Sequence, residues 1–290
     1  MIDVQKIPTD SQLVPHLGAL RALIRDSMPV EQHARSVVEL ESLPFYLRGM
    51  AIALLELDAW RVLVAEQTAK HFQGARGGPT IVVEEHYQAI LALKVDEVIG
   101  CGRRAVDGLT RYLGLFPQRQ SVPKSMTDLV DRIGKGKVQI EDRLAQTITT
   151  YWNTSGLRLK QYRDRTQHTG VVIAEVTIGL TNQGLGMRLL LADDPSVASP
   201  NDYTYSDEVS AIRYLYVAFQ DLLLMVNHIV ERLIDLGSTD PVTARQGKSL
   251  SIMFKAFTLG PQTAEAVPYA FDPFLACQNV QGRLLAERSS

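Results

Sequence analysis

The sequence predicts an all-α protein, an up-and-down helical bundle with one inserted β-hairpin. Two observations support this class. Apolar residues recur at steps of three and four along most of the chain, which is the spacing of an amphipathic helix, and one stretch within 171–193 changes to β-branched runs. With 290 residues, 46% of them hydrophobic, the chain is long enough and apolar enough to bury a sizeable core.

The N-terminal part of the chain predicts three helices. Asp10 or Ser11 is in position to cap the first, whose apolar residues at helical spacing are Leu13, Leu17, Leu20 and Ile24. Pro44 limits the second, a long helix that follows it up to the glycine- and proline-rich break at 73–80. The third helix covers about 82–114.

The middle of the chain predicts a short helix, a longer helix and the hairpin. Ser125 is in position to cap the short helix. The longer helix covers about 138–168, with a kink or break expected at 153–156, where Ser155 is a candidate for a new cap. Two apolar, partly β-branched runs on either side of an Asn- and Gly-containing turn then predict two antiparallel strands within 171–193.

The strongest helical pattern lies at 207–236. Its apolar surface extends well beyond one stripe, because further apolar residues supplement the regular steps: Leu222, Leu224, Met225 and Ile229. Such a helix lies in the middle of a bundle, or in a bundle plus a dimer interface, and we predict a homodimer through 207–236. His228, within this helix, is expected to be a core histidine with a satisfied hydrogen bond rather than a metal ligand.

Several classes of function lack support in the sequence. The formal net charge of −2 supplies no global attraction to nucleic acid or membrane, so a basic site must be local. The two cysteines form neither a disulfide framework nor a metal-ligand spacing, and no Gly-rich phosphate loop follows a strand. We therefore expect no metal and no cofactor. Without a signal peptide or a membrane-spanning run, we expect a soluble cytoplasmic protein.

A candidate site lies in the stretch YRDRTQHTG, residues 162–170. Arg163, Asp164 and His168 follow the pattern Arg, polar residue, three more residues, His. Thr169-Gly170 is a credible helix stop, which puts His168 in the last turn, where the helix dipole favours a protonated imidazole. On an unbroken helix, positions five apart diverge by about 140°. The pair therefore converges only if the helix ends at His168 or if two copies meet across a two-fold axis.

The residues around this pattern are basic. Four cations against the single carboxylate of Asp164 leave a local charge of +3: Arg158, Lys160, Arg163 and Arg165. A cluster of this kind in a slightly acidic protein is a candidate phosphate-binding patch. The competing interpretation is a solvated basic helix end, where Arg and His side chains satisfy the last carbonyls.

In an all-helical chain, this stretch resembles the motif of the HEPN family of helical-bundle ribonucleases, in which Arg and a polar residue, often Asn or Asp, precede His by three to five more residues. The resemblance covers mainly 138–236, and the hairpin departs from the minimal four-helix bundle. It divides the chain into N-terminal helices packed on the same core at 1–120, HEPN-like helices with the hairpin insert at 121–240, and a C-terminal tail at 241–290. We expect one structural domain.

The resemblance implies a metal-independent endoribonuclease that leaves a 2′,3′-cyclic phosphate, with two motifs facing each other across a homodimer. Such proteins often belong to toxin–antitoxin or phage-defence systems, so an antitoxin or regulatory protein is a further expected partner. His168 would be the general base on the ribose 2′-hydroxyl or the general acid at the leaving oxygen. Arg163 would hold the scissile phosphate, Asp164 would orient His168 or Arg163, and three cations would bind RNA phosphates: Arg158, Lys160 and Arg165.

Two alternatives to the enzyme stay open. The first is a non-catalytic helical module that binds RNA or a nucleotide through the same basic patch. The second is a helical interaction protein with no nucleic-acid role, in which the spacing of Arg163 and His168 is accidental. Side chains that meet in one basic cleft of an oligomer favour the enzyme, whereas side chains spread toward open solvent favour the accident.

Overall fold

The computed structural model describes residues 8–26, 30–71, 81–82, 85–115, 123–169, 173–181, 184–197 and 199–238. Their helices are α1 (Asp10–Leu13), α2 (Leu17–Asp26), α3 (Val30–His71), α4 (Glu85–Leu115), α5 (Met126–Gly134), α6 (Asp142–Tyr151), α7 (Leu157–Thr169) and α8 (Ala211–Ser238). A π-helical turn, Trp152–Gly156, joins α6 to α7, and a 3₁₀ turn covers Pro200–Asp202. The strands are β1 (Ile81–Val82), β2 (Ile173–Thr181) and β3 (Gly184–Leu191). The predicted class, an all-α bundle with an inserted hairpin, is confirmed.

Two differences from the prediction lie in the N-terminal helices. The first predicted helix is two helices, α1 and α2, separated at Val14–His16, and its cap is Thr9 rather than Asp10 or Ser11. The backbone N–H of Thr9 donates to Gln12 Oε1 at 2.7 Å, as in a capping box. Asp10 forms an ion pair with Arg48 of α3 instead.

The prediction that Pro44 limits a helix is wrong, because α3 begins at Val30 and carries Pro44 in its interior. A proline inside a helix removes a backbone hydrogen bond. Tertiary packing offsets that cost here. Leu43 is fully buried against α4, where a Cβ on Gly108 would lie 3.4 Å from Leu43 Cα. Close antiparallel packing of α3 on α4 therefore stabilises the helical conformation of α3 on both sides of Pro44.

The break expected at 153–156 is not found, because the chain stays helical from α6 into α7; the irregularity at the predicted position is the π turn at Trp152–Gly156. Ser155 is therefore not a cap. Its side chain is buried, and its hydroxyl donates to Asp221 of α8. Gly156 fits the turn because a Cβ there would lie 2.8 Å from Tyr151 Cε1. By contrast, the predicted Ser125 cap is confirmed, since Ser125 Oγ accepts the N–H of Asp128 at 3.2 Å.

The predicted hairpin within 171–193 is confirmed. β2 and β3 pair antiparallel, with Thr181 opposite Gly184 and Val176 opposite Leu189, and the register shifts between Ile173 and Val176. The turn residues 182–183 lie outside the described residues. A feature that the sequence did not predict is β1, which adds a third strand on the other side of β2.

α8 occupies the middle of the bundle, in contact with α2, α3, α4, α6, β3 and the π turn. Most of its fully buried residues belong to one apolar cluster that extends from Leu13 to Leu233. Only two of its large apolar side chains are strongly exposed, Val217 at 40% and Leu224 at 58%. The chain itself thus covers most of the apolar surface that suggested a dimer interface, and the homodimer stays a prediction.

His228 of α8 corrects one expectation, because its side chain is exposed rather than part of the core. The predicted tail at 241–290 lies outside the described residues. Among the helices that the structure does describe, none combines the length and the apolar character that crossing a bilayer requires.

Candidate functional site

α7 carries the whole Arg–His motif on a helix that is anchored on one face. Leu159 and Tyr162 are buried, at 1% and 0% exposure, and point into the bundle. Leu159 contacts α4 at Gly102, where a Cβ would lie 3.2 Å from Leu159 Cδ2. The hydroxyl of Tyr162 donates to the carbonyl of Ala192 at 2.6 Å. These contacts fix the rotation of α7 and so determine which way each motif residue points.

Asp164 lies between two cations of its own helix. Its Oδ1 is 3.3 Å from Arg163 Nη1, and its Oδ2 forms an ion pair with Lys160. Burial alone would raise the pKa of the Asp164 carboxyl, but the hydrogen bonds from Lys160 and Arg163 outweigh it and hold the pKa below its usual value. Of the two roles that the resemblance implies for Asp164, orienting Arg163 is therefore the one with a contact to support it.

His168 lies in the last turn of α7, as predicted, and its side chain is exposed. The helix continues through Thr169, so His168 is part of a regular helix rather than a turned end. Arg163 and His168 therefore lie about 140° apart around the helix axis. One chain presents the two side chains on different sides of α7, and only a second copy could bring a histidine to face an arginine.

Arg158 and Arg165, both predicted to bind phosphate, bind the chain's own backbone. Arg158 Nη2 donates to the carbonyl of Asp193 at 2.8 Å. Arg165 donates from Nε to the carbonyl of Pro195 at 2.9 Å and from Nη2 to that of Ser196 at 2.8 Å. Arg158 also lies over the ring of Tyr214, with 5.4 Å from Cζ to the centroid. Of the predicted cations, Lys160 and Arg163 lie on the other side of α7, where both pair with Asp164.

Arg103 of α4 lies near the motif, although no local sequence pattern indicated this. Its side chain is 6% exposed, and its Nη2 lies 2.9 Å from Thr127 Oγ1 and 3.1 Å from Asp107 Oδ1. Burial lowers the pKa of Arg103, Asp107 opposes that effect, and the nearby positive charge of Arg163 adds to it. The spacing of four between Arg103 and Asp107 is that of an ion pair along a helix. No neighbouring residue indicated that this pair would lie beside α7.

A second polar group lies beneath α7, around the π turn. Tyr151 is 4% exposed and its hydroxyl has no hydrogen-bond partner among the described residues. Burial raises the pKa of Tyr151, with the charge of Arg103 acting in the opposite direction. π-helical turns occur frequently at functional sites, although this one is enclosed by the core.

The side chains able to act as an acid–base group and as a phosphate ligand, His168 and Arg163, lie on different sides of one helix. The described residues contain no group of three or more His, Cys, Asp or Glu side chains placed to hold a metal ion. A surface cleft of about 540 Å³ is lined by residues of α3 and Lys94 of α4, and no described residue of α7 contributes to it.

Comparisons of the chain with protein-family models, with curated proteins and with solved structures find no match.

Proposed function

We propose that the protein is a metal-independent, HEPN-like endoribonuclease whose active site is completed by a second copy of the chain. The observation that carries the proposal is the position of His168, exposed in the last turn of α7, while Asp164 holds Arg163 on another side of the same helix. A two-fold axis running past α7 would place the histidine of one copy against the arginine of the other.

The proposed chemistry uses the ribose 2′-hydroxyl as the nucleophile. As general base, His168 removes the proton of that hydroxyl, and solvent water protonates the leaving 5′-oxygen; as general acid, His168 protonates the 5′-oxygen, and water takes the proton of the 2′-hydroxyl. The 2′-oxygen forms a bond to phosphorus, the bond from phosphorus to the 5′-oxygen breaks, and a 2′,3′-cyclic phosphate results. The Arg163 guanidinium donates to the phosphate oxygens and offsets their growing charge. Asp164 keeps that guanidinium in place, and Lys160 is the remaining candidate phosphate ligand on this side of the helix.

The proposed cellular role follows from the resemblance rather than from the geometry. A ribonuclease of this type would act in a toxin–antitoxin or phage-defence system. An antitoxin or regulatory protein would then control it.

The second candidate is a helical module that binds RNA without cutting it. One observation favours it: Arg163 and His168 diverge by about 140° on a continuous helix, so a monomer would have a phosphate ligand without an adjacent acid–base group. The oligomeric state therefore separates the two candidates.

The experiment is cleavage of a labelled RNA of mixed sequence by the full-length protein, with and without a chelator. We expect cleavage that the chelator does not inhibit. His168→Ala should reduce the rate by about 10²–10⁴-fold, the range for a lost general acid or base. His16→Ala, which removes another exposed histidine outside α7 and α8, is the matched control and should cleave like the wild type. Cleavage at the wild-type rate by the His168→Ala protein would refute the assignment.

A further inference from the structure

The loop after β3 packs on the basic side of α7 and is acidic. Between 193 and 208 it carries five carboxylates and no Lys or Arg. We call its first four residues, Asp193–Ser196, the strap, because Arg158 and Arg165 bind three of their carbonyls. The neighbouring Ala192 carbonyl accepts the Tyr162 hydroxyl. An acidic segment thus covers two of the three α7 cations that were predicted to bind RNA, Arg158 and Arg165.

The strap is held in shape by one hydrogen bond within it and by others from later residues of the same loop. Asp194 Oδ1 accepts the N–H of Ser196 at 2.7 Å. Asp193 accepts from the backbone of Ser206 at 2.8 Å and from that of Asp207 at 3.2 Å. The hydrogen bonds from Ser196 lower the pKa of Asp194, and the charges of Arg158 and Arg165 lower it further, so this carboxyl is ionised beside the two arginines at neutral pH.

Arg165 is bound to the strap in a geometry that also suits a phosphate. Its Nε and Nη2 donate side by side to two carbonyl oxygens, at 2.9 and 2.8 Å, as a guanidinium fork donates to two oxygens of one phosphate. The two carbonyls are neutral acceptors, and a guanidinium binds an ionised acceptor more strongly. Arg158 differs, because its guanidinium also lies over the rings of Tyr162 and Tyr214. Arg165 is therefore the cation that can exchange its carbonyl partners for a phosphate, whereas Arg158 anchors the strap.

We propose that the strap is an autoinhibitory contact that single-stranded RNA opens, with an RNA phosphate replacing the carbonyls of Pro195 and Ser196 on Arg165. This inference rests on the proposed function, since it takes RNA as the ligand of α7. The carboxylate of Asp194 lies beside Arg165 in the closed form, and the incoming phosphate repels it. RNA binding therefore favours the open form, which is a shift between two states of different RNA affinity.

The test measures RNA affinity by fluorescence anisotropy with a labelled 20-nucleotide 2′-O-methyl RNA. This probe has no free 2′-hydroxyl, so binding is measured independently of cleavage. Asp194→Asn keeps an oxygen for the Ser196 N–H but removes the charge, and should tighten binding about two- to fivefold, the ratio for one surface charge interaction. Asp96→Asn, at an exposed position of α4, makes the same charge change and should leave the affinity unchanged.

A second pair of variants tests whether Arg165 meets the phosphate. Arg165→Gln should weaken binding and reduce the slope of log affinity against log salt by about 0.7, the contribution of one contact to a single strand. Arg143→Gln, at an exposed position of α6, is the control with the same loss of charge and should keep the slope. In wild-type protein, the bound probe should speed hydrogen exchange at the amides of Ser196, Ser206 and Asp207.

Three results would overturn the strap. The first is equal probe affinity and equal salt slope for the Arg165 and Arg143 variants. The second is equal probe affinity for the Asp194 and Asp96 variants. The third is that neither the wild type nor any variant binds the probe. Cleavage of ordinary RNA together with any of these results would leave the proposed ribonuclease standing without the strap. If the strap variants respond as expected but ordinary RNA is never cut, the ribonuclease proposal fails and the autoinhibited binding site remains.

Discussion

Tyr162→Phe and Tyr151→Phe are a matched pair of substitutions that tests how the motif helix is held in the fold. Both remove one hydroxyl from a buried ring, at 0% and 4% exposure respectively. The Tyr162 hydroxyl donates to the buried carbonyl of Ala192 at 2.6 Å, whereas the Tyr151 hydroxyl has no partner among the described residues. The two changes are therefore alike in chemistry and opposite in hydrogen bonding.

The two changes are expected to affect the free energy of unfolding differently. Tyr162→Phe leaves the Ala192 carbonyl buried and without its partner, which costs about 1–3 kcal/mol. Tyr151→Phe removes a buried polar group that makes no hydrogen bond, and such a group costs about 1–3 kcal/mol while it is present. We therefore expect Tyr151→Phe to be neutral or stabilising, and the two variants to differ by at least about 1 kcal/mol.

The assay is urea unfolding of the full-length variants, followed by circular dichroism, with the m-value checked for constancy. An unchanged m-value assigns the shift in midpoint to stability rather than to a change in the unfolded chain. Equal destabilisation by both variants would refute the reasoning, because it would mean that the Tyr151 hydroxyl is satisfied, for example by an ordered water.

Three further predictions concern the motif and the assembly. Arg163→Lys should lower kcat/KM for RNA cleavage, because an ammonium offers no planar fork to phosphate, while Arg143→Lys at an exposed site of α6 should not. The pKa of Asp164 is lowered in the folded state, so its contribution to stability is present at neutral pH and is lost as the pH falls below the ordinary carboxyl range. Asp164→Asn should therefore flatten the acid limb of the stability curve measured by urea unfolding. Light scattering at micromolar concentration should give twice the chain mass of 32.2 kDa, and a monomeric mass would contradict the homodimer.

The parts of the fold that the sequence predicted correctly depend on short-range physics. The helical class follows from apolar spacing, and the hairpin follows from two runs of strand-forming residues on either side of a turn. The Ser125 cap involves only the three residues up to Asp128. The position of His168 in a last helical turn followed from the Thr169-Gly170 pair beside it.

The parts that could not be predicted depend on contacts between distant segments. Pro44 was expected to limit a helix, but α3 continues on both sides of it because Leu43 packs against Gly108 of α4. Ser155 was a plausible local cap, yet its hydroxyl pairs with Asp221, 66 positions away.

The candidate site shows the same division. Its charges could be counted from the sequence, but the partners of Arg158 and Arg165 could not be foreseen. These partners are backbone carbonyls, which every residue carries, so no residue type identifies them. The sequence also showed that 207–236 carries more apolar residues than one helix face needs. That the chain's own elements cover most of these residues became evident only from the packing of α8.

The most direct test of the central claim, a composite site shared by two chains, is RNA cleavage by a mixed dimer. One chain carries Arg163→Ala and the other His168→Ala, each with a different tag, and the co-expressed dimer is purified through both tags. If each site takes its arginine from one copy and its histidine from the other, one of the two sites in a mixed dimer keeps both residues and the other site loses both. We therefore predict about half of the wild-type rate, since a two-fold dimer has two equivalent sites. Activity no higher than that of either variant alone would contradict the shared site.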